Sequence, residues 1–201
     1  MGNFVNGSDD SVVAITREYY NSSDADEFYF RIWGGEDIHV GIYLTENEPI
    51  AAASRRSVET MTKQLNISAA SRVLDLGSGY GGAARYLAEK FKCKIVCLNL
   101  SETENERNRE LNKIMNLNDF IEVVDADFSE IPYSQDSFDI VWSEDAILHS
   151  PKKEKVFQEV ARILKPGGDF IFTDPMQADN VPAGVLQPVL DRIHLQSMGS
   201  F

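Results

Sequence analysis

Between residues 72 and 173, short apolar runs alternate with segments whose apolar residues recur every three or four positions. The runs at 72–76, 94–98, 120–124, 138–142 and 169–173 are predicted strands, and the stretches between them are predicted helices. The helix over 82–91 would place Ala84, Leu87, Ala88 and Phe91 on one face. Ser101-Glu102-Thr103-Glu104 has the form of a capping box and opens a charged helix running to Met115. Ser150 followed by Pro151 predicts another helix start, with Val156, Val160, Ile163 and Leu164 facing inward and Pro166-Gly167-Gly168 as its stop. Strands that alternate with helices specify an α/β fold with a parallel, doubly wound sheet.

Outside this region the pattern changes. Residues 1–14 read as polar and loose, and 15–30 as aromatic-rich through Tyr19, Tyr20, Phe28, Tyr29 and Phe30. A glycine-flanked loop follows, Ile32-Trp33-Gly34-Gly35-Glu36-Asp37-Ile38-His39-Val40-Gly41, and then a helix over 49–65 with Ala53, Val58, Met61 and Leu65 at helical spacing. The chain thus divides into an N-terminal helical lid (1–66), an α/β core (67–174) and a C-terminal segment (175–201) in which the alternation lapses. An open sheet of this class is normally completed by further strands, so C-terminal strands are expected to be missing from this chain.

Composition narrows the choice of partners. The 201 residues are 43% hydrophobic and 25% charged, the mixture of a globular domain. With 19 basic and 32 acidic residues the net charge is −13, which repels phosphate backbones and argues against nucleic acid. Cys93 and Cys97 lie in one apolar run, four residues apart and, at strand spacing, too distant to pair, and read as buried thiols of a reducing compartment. No run is long and apolar enough for a membrane span. The N-terminus shows no apolar signal core, and Asn6 breaks the myristoylation pattern after Met1-Gly2, so the chain reads as cytoplasmic. The oligomeric state stays open.

The strongest local signal is Val73-Leu74-Asp75-Leu76-Gly77-Ser78-Gly79-Tyr80-Gly81-Gly82, a strand that runs through a glycine turn into a helix. Glycines there allow positive φ and close backbone approach, and the helix start offers unpaired N–H groups. As a bare pattern, Gly77-x-Gly79-x-x-Gly82 is the dinucleotide fingerprint, which makes an NAD oxidoreductase a rival. That pattern wants an acid about 20 residues on, where this chain has Asn99. Asp75, just before the turn, instead favours a cation such as the ammonium of S-adenosylmethionine. Candidate cofactor contacts are therefore Asp75, Gly77, Ser78 and Gly79; Asn99 and Leu100 for the ribose; Asp127 and Phe128 for the adenine; and Ser143 after the fourth strand. Singly each reads as a turn residue, but together they sit at successive strand ends, where this architecture binds ligands.

Leu74-Asp75-Leu76-Gly77-Ser78-Gly79 and Leu164-Lys165-Pro166-Gly167-Gly168 resemble the first and last core motifs of the Rossmann-like class I S-adenosylmethionine-dependent methyltransferases. Asp125-Ala126-Asp127-Phe128 and Phe138-Asp139-Ile140-Val141-Trp142-Ser143 resemble the motifs between them. Outside the core, the 32–43 loop and Glu144-Asp145-Ala146-Ile147-Leu148-His149 resemble the glycine, sarcosine and dimethylglycine N-methyltransferases of betaine synthesis. Asp145-Ala146-Ile147-Leu148-His149 also resembles the phosphoethanolamine methyltransferases. The resemblance implies S-adenosylmethionine as cofactor and the nitrogen of a small amine as acceptor, sarcosine and dimethylglycine foremost. The class usually carries an acid at the ribose position, and Asn99 departs from it.

In-line methyl transfer needs alignment and an unprotonated amine. His149 is the candidate base, and the resemblance pairs it with a lid tyrosine, for which Tyr29 and Tyr20 are the candidates, Tyr29 being assigned the catalytic role and Tyr20 the lid. Trp33 and His39 are further lid or substrate positions. Arg31, Arg55, Arg56 and Arg192 are available for a substrate carboxylate, with nothing to choose among them. No cluster has metal-ligand spacing, so no metal is expected. A catalytically idle nucleotide-binding module is the non-enzyme alternative; it would be indifferent to loss of His149.

Overall fold

Five parallel strands form one sheet in the order β3-β2-β1-β4-β5, with β1 (Arg72–Leu76) at its centre. β2 is Lys94–Asn99, β3 Ile121–Asp125, β4 Phe138–Glu144 and β5 Leu164–Thr173. This computed structural model describes residues 9–33, 35–192, 195 and 198–200; His194 and the side chain of Arg192 lie outside them. β1, β2 and β4 are buried almost throughout, because helices cover both faces of the sheet. Alternate strand residues feed two cores. Val73, Ile95, Ile140 and Trp142 pack with helices α3 (Ile50–Thr62) and α4 (Gly82–Phe91). Leu74, Leu76, Val96, Leu98 and Val141 pack with α6 (Lys153–Ile163). The strand order reverses between β2-β1 and β1-β4, so the crevice at the carboxyl ends of these strands is the expected ligand position.

Several predicted boundaries move. Pro166-Gly167-Gly168 does not simply stop a helix: β5 already pairs at Leu164 with Phe138, and the register breaks before Ile140 meets Asp169. The glycines form an irregularity inside the strand, with Gly167 at φ +80°. The helix expected to start after Ser150 begins at Lys153; a 3-10 turn, Ile147–His149, precedes it, and Ser150 Oγ accepts from the Lys152 amide at 3.1 Å. The capping box at α5 (Glu102–Ile114) is half formed: Ser101 Oγ accepts from the Glu104 amide, while the Glu104 side chain turns to Asn99.

The larger correction is at the N-terminus. Residues 1–8 lie outside the described residues, but Asp9–Asn21 is a helix, α1, where loose chain was expected up to residue 14. Asp9 and Asp10 sit in its first turn, where acids complement the unpaired N–H groups. Short α2 (Ser23–Glu27) and a wide π-turn, Phe28–Trp33, follow. In the tail, α7 (Gln187–Arg192) brings Leu190 with Leu195 against Leu148, beside His149. No helix of the described residues is long and apolar enough to cross a membrane.

Candidate functional site

Two adjoining cavities open at the carboxyl ends of β1, β2 and β4. The larger has Gly77, Gly79, Asn99, Leu100, Asp127 and Phe128 along its floor. Val13, Thr16, Arg17 and Tyr20, one face of α1, cover it; Glu144, Asp145, Ala146 and His149 form the far wall. The smaller lies under the glycine turn, between Asp37, Ile38 and His39 of the lid loop and Asp75, Ser78 and Glu144.

The turn itself is built for close approach. Gly77 and Gly79 have φ of +72° and +49°. A Cβ on Gly77 would run into Ala146, and one on Gly79 would lie 3.0 Å from Ile38 Cδ1.

The smaller cavity concentrates unsatisfied polar atoms. Asp37 Oδ1, Asp75 Oδ2, Glu144 Oε1, Ser78 Oγ and His39 Nε2 are buried without a hydrogen-bond partner. His39 Nε2 stands 3.4 Å from Glu144 Oε1, a charge-pair distance that leaves both atoms unsatisfied as a hydrogen bond. Burial, with Asp37 nearby, pushes the Asp75 carboxyl up to about 7, and burial raises Glu144 well above the carboxylate range. Such orphaned acceptors and donors are costly unless something fills them. A short tail carrying both an ammonium and a carboxylate meets both kinds, so the donor set fits the amino-acid end of S-adenosylmethionine.

At the far wall, Tyr20 hydroxyl and His149 Nε2 are 3.1 Å apart, with the rings edge-on at 5.6 Å. Burial, aided by the Lys153 charge, drives His149 down to about 4; burial drives the Tyr20 phenol well up. The pair is therefore uncharged at neutral pH. Tyr29, expected as the catalytic tyrosine, is one ring further out, stacked on Tyr20 at 5.8 Å with its hydroxyl 3.4 Å from that of Tyr19. Successive turns of α1 bring Tyr20, not Tyr29, over the cavity.

The other expected residues divide. Asp127 and Phe128 line the floor, though Asp127 Oδ1 is already committed to the Ser129 amide at 2.7 Å. Ser143 does not reach either cavity: its hydroxyl donates to the Leu76 carbonyl at 2.9 Å, locking β4 to β1, because strand alternation turns it inward. Trp33 donates to the His39 carbonyl at 3.3 Å and supports the lid loop from outside the cavities. Of the candidate arginines, Arg31 pairs with Glu27, Arg55 with Asp37 at 2.9 Å and Arg56 with Glu48, and none of these three lines the larger cavity.

Four residues escaped the sequence reading. Glu104, 3% exposed, sits beside Asn99, and burial pushes its carboxyl up to about 7. Glu144 and Asp145 take the wall position expected for Ser143. Asp145, at φ +51°, accepts from the Val40 amide at 2.7 Å and from Thr173 Oγ1 at 3.1 Å, latching the lid loop to the sheet. Arg17 reaches the larger cavity from α1 and pairs with Glu102. The spacing of Val13, Thr16, Arg17 and Tyr20 was the available signal for α1; its mixed polarity hid it.

Fold and site are those of an S-adenosylmethionine-dependent methyltransferase, and the methyltransferase-domain family matches residues 74–172. A sarcosine/dimethylglycine N-methyltransferase of Halorhodospira halochloris is 58% identical over 96% of this chain and 69% of its own length. One of the same description from Aphanothece halophytica is 53% identical over 95% and 69%. The crystal structure of a candidate sarcosine dimethylglycine methyltransferase from Galdieria sulphuraria superposes with a TM-score of 0.81 at 48% identity, covering 91% of this chain and 70% of that one. The chain belongs to the family of the sarcosine/dimethylglycine N-methyltransferases.

Proposed function

We propose that the protein transfers the methyl group of S-adenosylmethionine to the nitrogen of sarcosine or dimethylglycine, with the donor's amino-acid end in the smaller cavity and its nucleoside along the floor of the larger. When bound, S-adenosylmethionine supplies an electrophilic methyl on a sulfonium and leaves as S-adenosylhomocysteine. Asp75 and Glu144 would hold the ammonium, Ser78 the carboxylate, and Asn99 and Leu100 the ribose end. Asp127 and Phe128 would receive the adenine.

The observation that carries the acceptor assignment is the Tyr20–His149 pair at the wall facing the glycine turn. It presents the phenol oxygen and aromatic faces and is itself uncharged, which suits an amine becoming a cation. His149, driven down to about 4, is too weak a base to strip an ammonium at neutral pH. Its part is to hold the Tyr20 hydroxyl in place, so the amine must arrive already deprotonated. Among the described residues around the larger cavity, the acids Glu104, Asp127, Glu144 and Asp145 face one arginine, Arg17, a lining that disfavours a phosphorylated acceptor.

Labelled-donor assays with glycine, sarcosine, dimethylglycine and phosphoethanolamine test the reading. Transfer to sarcosine and dimethylglycine is expected, with kcat reduced at least about tenfold in Tyr20→Phe while S-adenosylhomocysteine still binds. Transfer to phosphoethanolamine alone would refute it.

A further inference from the structure

We propose that Glu104 is a positioning residue for the donor: it turns the Asn99 amide so that Oδ1 faces the vicinal hydroxyls of the ribose. The inference rests on the cofactor placement given above. Asn99 ends β2 and Glu104 stands in the first turn of α5; both line the larger cavity and are only 8% and 3% exposed. Asn99 Nδ2 donates to Glu104 Oε2 at 2.8 Å.

An amide's two ends are nearly the same size, and shape alone does not choose which one a pocket sees. Above about pH 7, where Glu104 is ionised, its carboxylate accepts and cannot donate, so only the Nδ2 end can meet it. The amide then offers its oxygen to the cavity. Glu104 is in turn held in place: its backbone amide donates to Ser101 Oγ at 3.2 Å, and that hydroxyl reaches Asn21 Oδ1 at the end of α1 at 2.8 Å. Its side chain does not close the capping box, which leaves the carboxylate for Asn99. The negative charge that a strand-end acid would place against the diol is thus set one hydrogen bond back, where it polarises the amide.

This arrangement predicts a sign reversal between single and double substitutions. Titration calorimetry with S-adenosylhomocysteine, and initial rates with S-adenosylmethionine, would be measured for wild type, Glu104→Leu, Glu104→Gln, Asn99→Asp and their doubles. Glu104→Leu should raise both Kd and donor KM about tenfold, with kcat within about twofold, because the ribose is remote from the transferred methyl. Glu104→Gln should recover only part of that loss, since its Oε1 can accept the same bond but its Nε2 can equally meet Asn99 Oδ1 and turn the amide round. Asn99→Asp alone should also weaken binding, by setting two buried carboxylates side by side. Combined with Glu104→Leu it should restore affinity, because a carboxylate presents an acceptor either way round.

Unchanged binding in Glu104→Leu, or a double variant no better than Glu104→Leu, would overturn the proposal. If thermal denaturation shows Glu104→Leu to be unfolded, Asn99→Asp against Asn99→Asp/Glu104→Gln decides instead: affinity returns in the double, or the proposal falls. Wild type that bound no S-adenosylhomocysteine would overturn the cofactor reading itself, and this inference with it.

Discussion

His149 and Tyr20 make a pair whose chemistry is set by dehydration. Each is displaced from its ordinary titration range in the direction that removes its charge, His149 downward and Tyr20 upward. Imidazole normally changes charge within the physiological range; this one is neutral above about 4. Substrate amines lose their proton only in alkali, so the acid limb of kcat/KM should belong to the acceptor. At saturating donor, so that Asp75 and Glu104 in the donor site do not enter, the profile for the acceptor is expected to climb from pH 6 to 9 with no separate inflection near 6.5, and its shape should be unchanged in Tyr20→Phe. An additional limb near 6.5 that disappears in His149→Gln would show that His149 titrates as a base after all.

The core elements were legible because strands buried on both faces leave apolar runs, continuous at Ile95–Leu98 and interrupted by Asp75 alone at Val73–Leu76. α1 was not, because it faces a cavity: Val13, Thr16, Arg17 and Tyr20 share a face chosen for what it covers. Local explanations also concealed function. Glu104 was absorbed by the capping box, and Ser143 drew the attention that belonged to Glu144 and Asp145. The lid loop and α4 meet at Gly82, where a Cβ would collide with the Asp37 carboxylate and lie 2.6 Å from the Glu36 carbonyl. Gly82→Ala should therefore push the loop off the smaller cavity. Donor KM is expected to rise at least about tenfold with the unfolding transition retained; an unchanged KM would separate the loop from donor binding.

For the whole molecule, the buried carboxyls couple stability to pH. Asp75 and Glu104 are held near 7 and Asp174 near 6, whereas an unfolded chain loses those protons near 4. A raised acid contributes stability that disappears as pH climbs through its folded value. His149 works weakly the other way: unfolded imidazole is still half protonated at pH 6.5 and loses that charge by pH 8, which slightly favours the folded state. The cofactor-free protein should accordingly melt several degrees lower at pH 8 than at pH 6.5, and Asp75→Asn should shrink the difference. A Tm that rises over this interval would contradict the burial of these acids.

The helix that roofs the larger cavity also carries Tyr20. On the proposed donor placement, one and the same element would shelter the sulfonium from solvent and complete the acceptor wall, so a donor shielded from water is also a donor facing its amine.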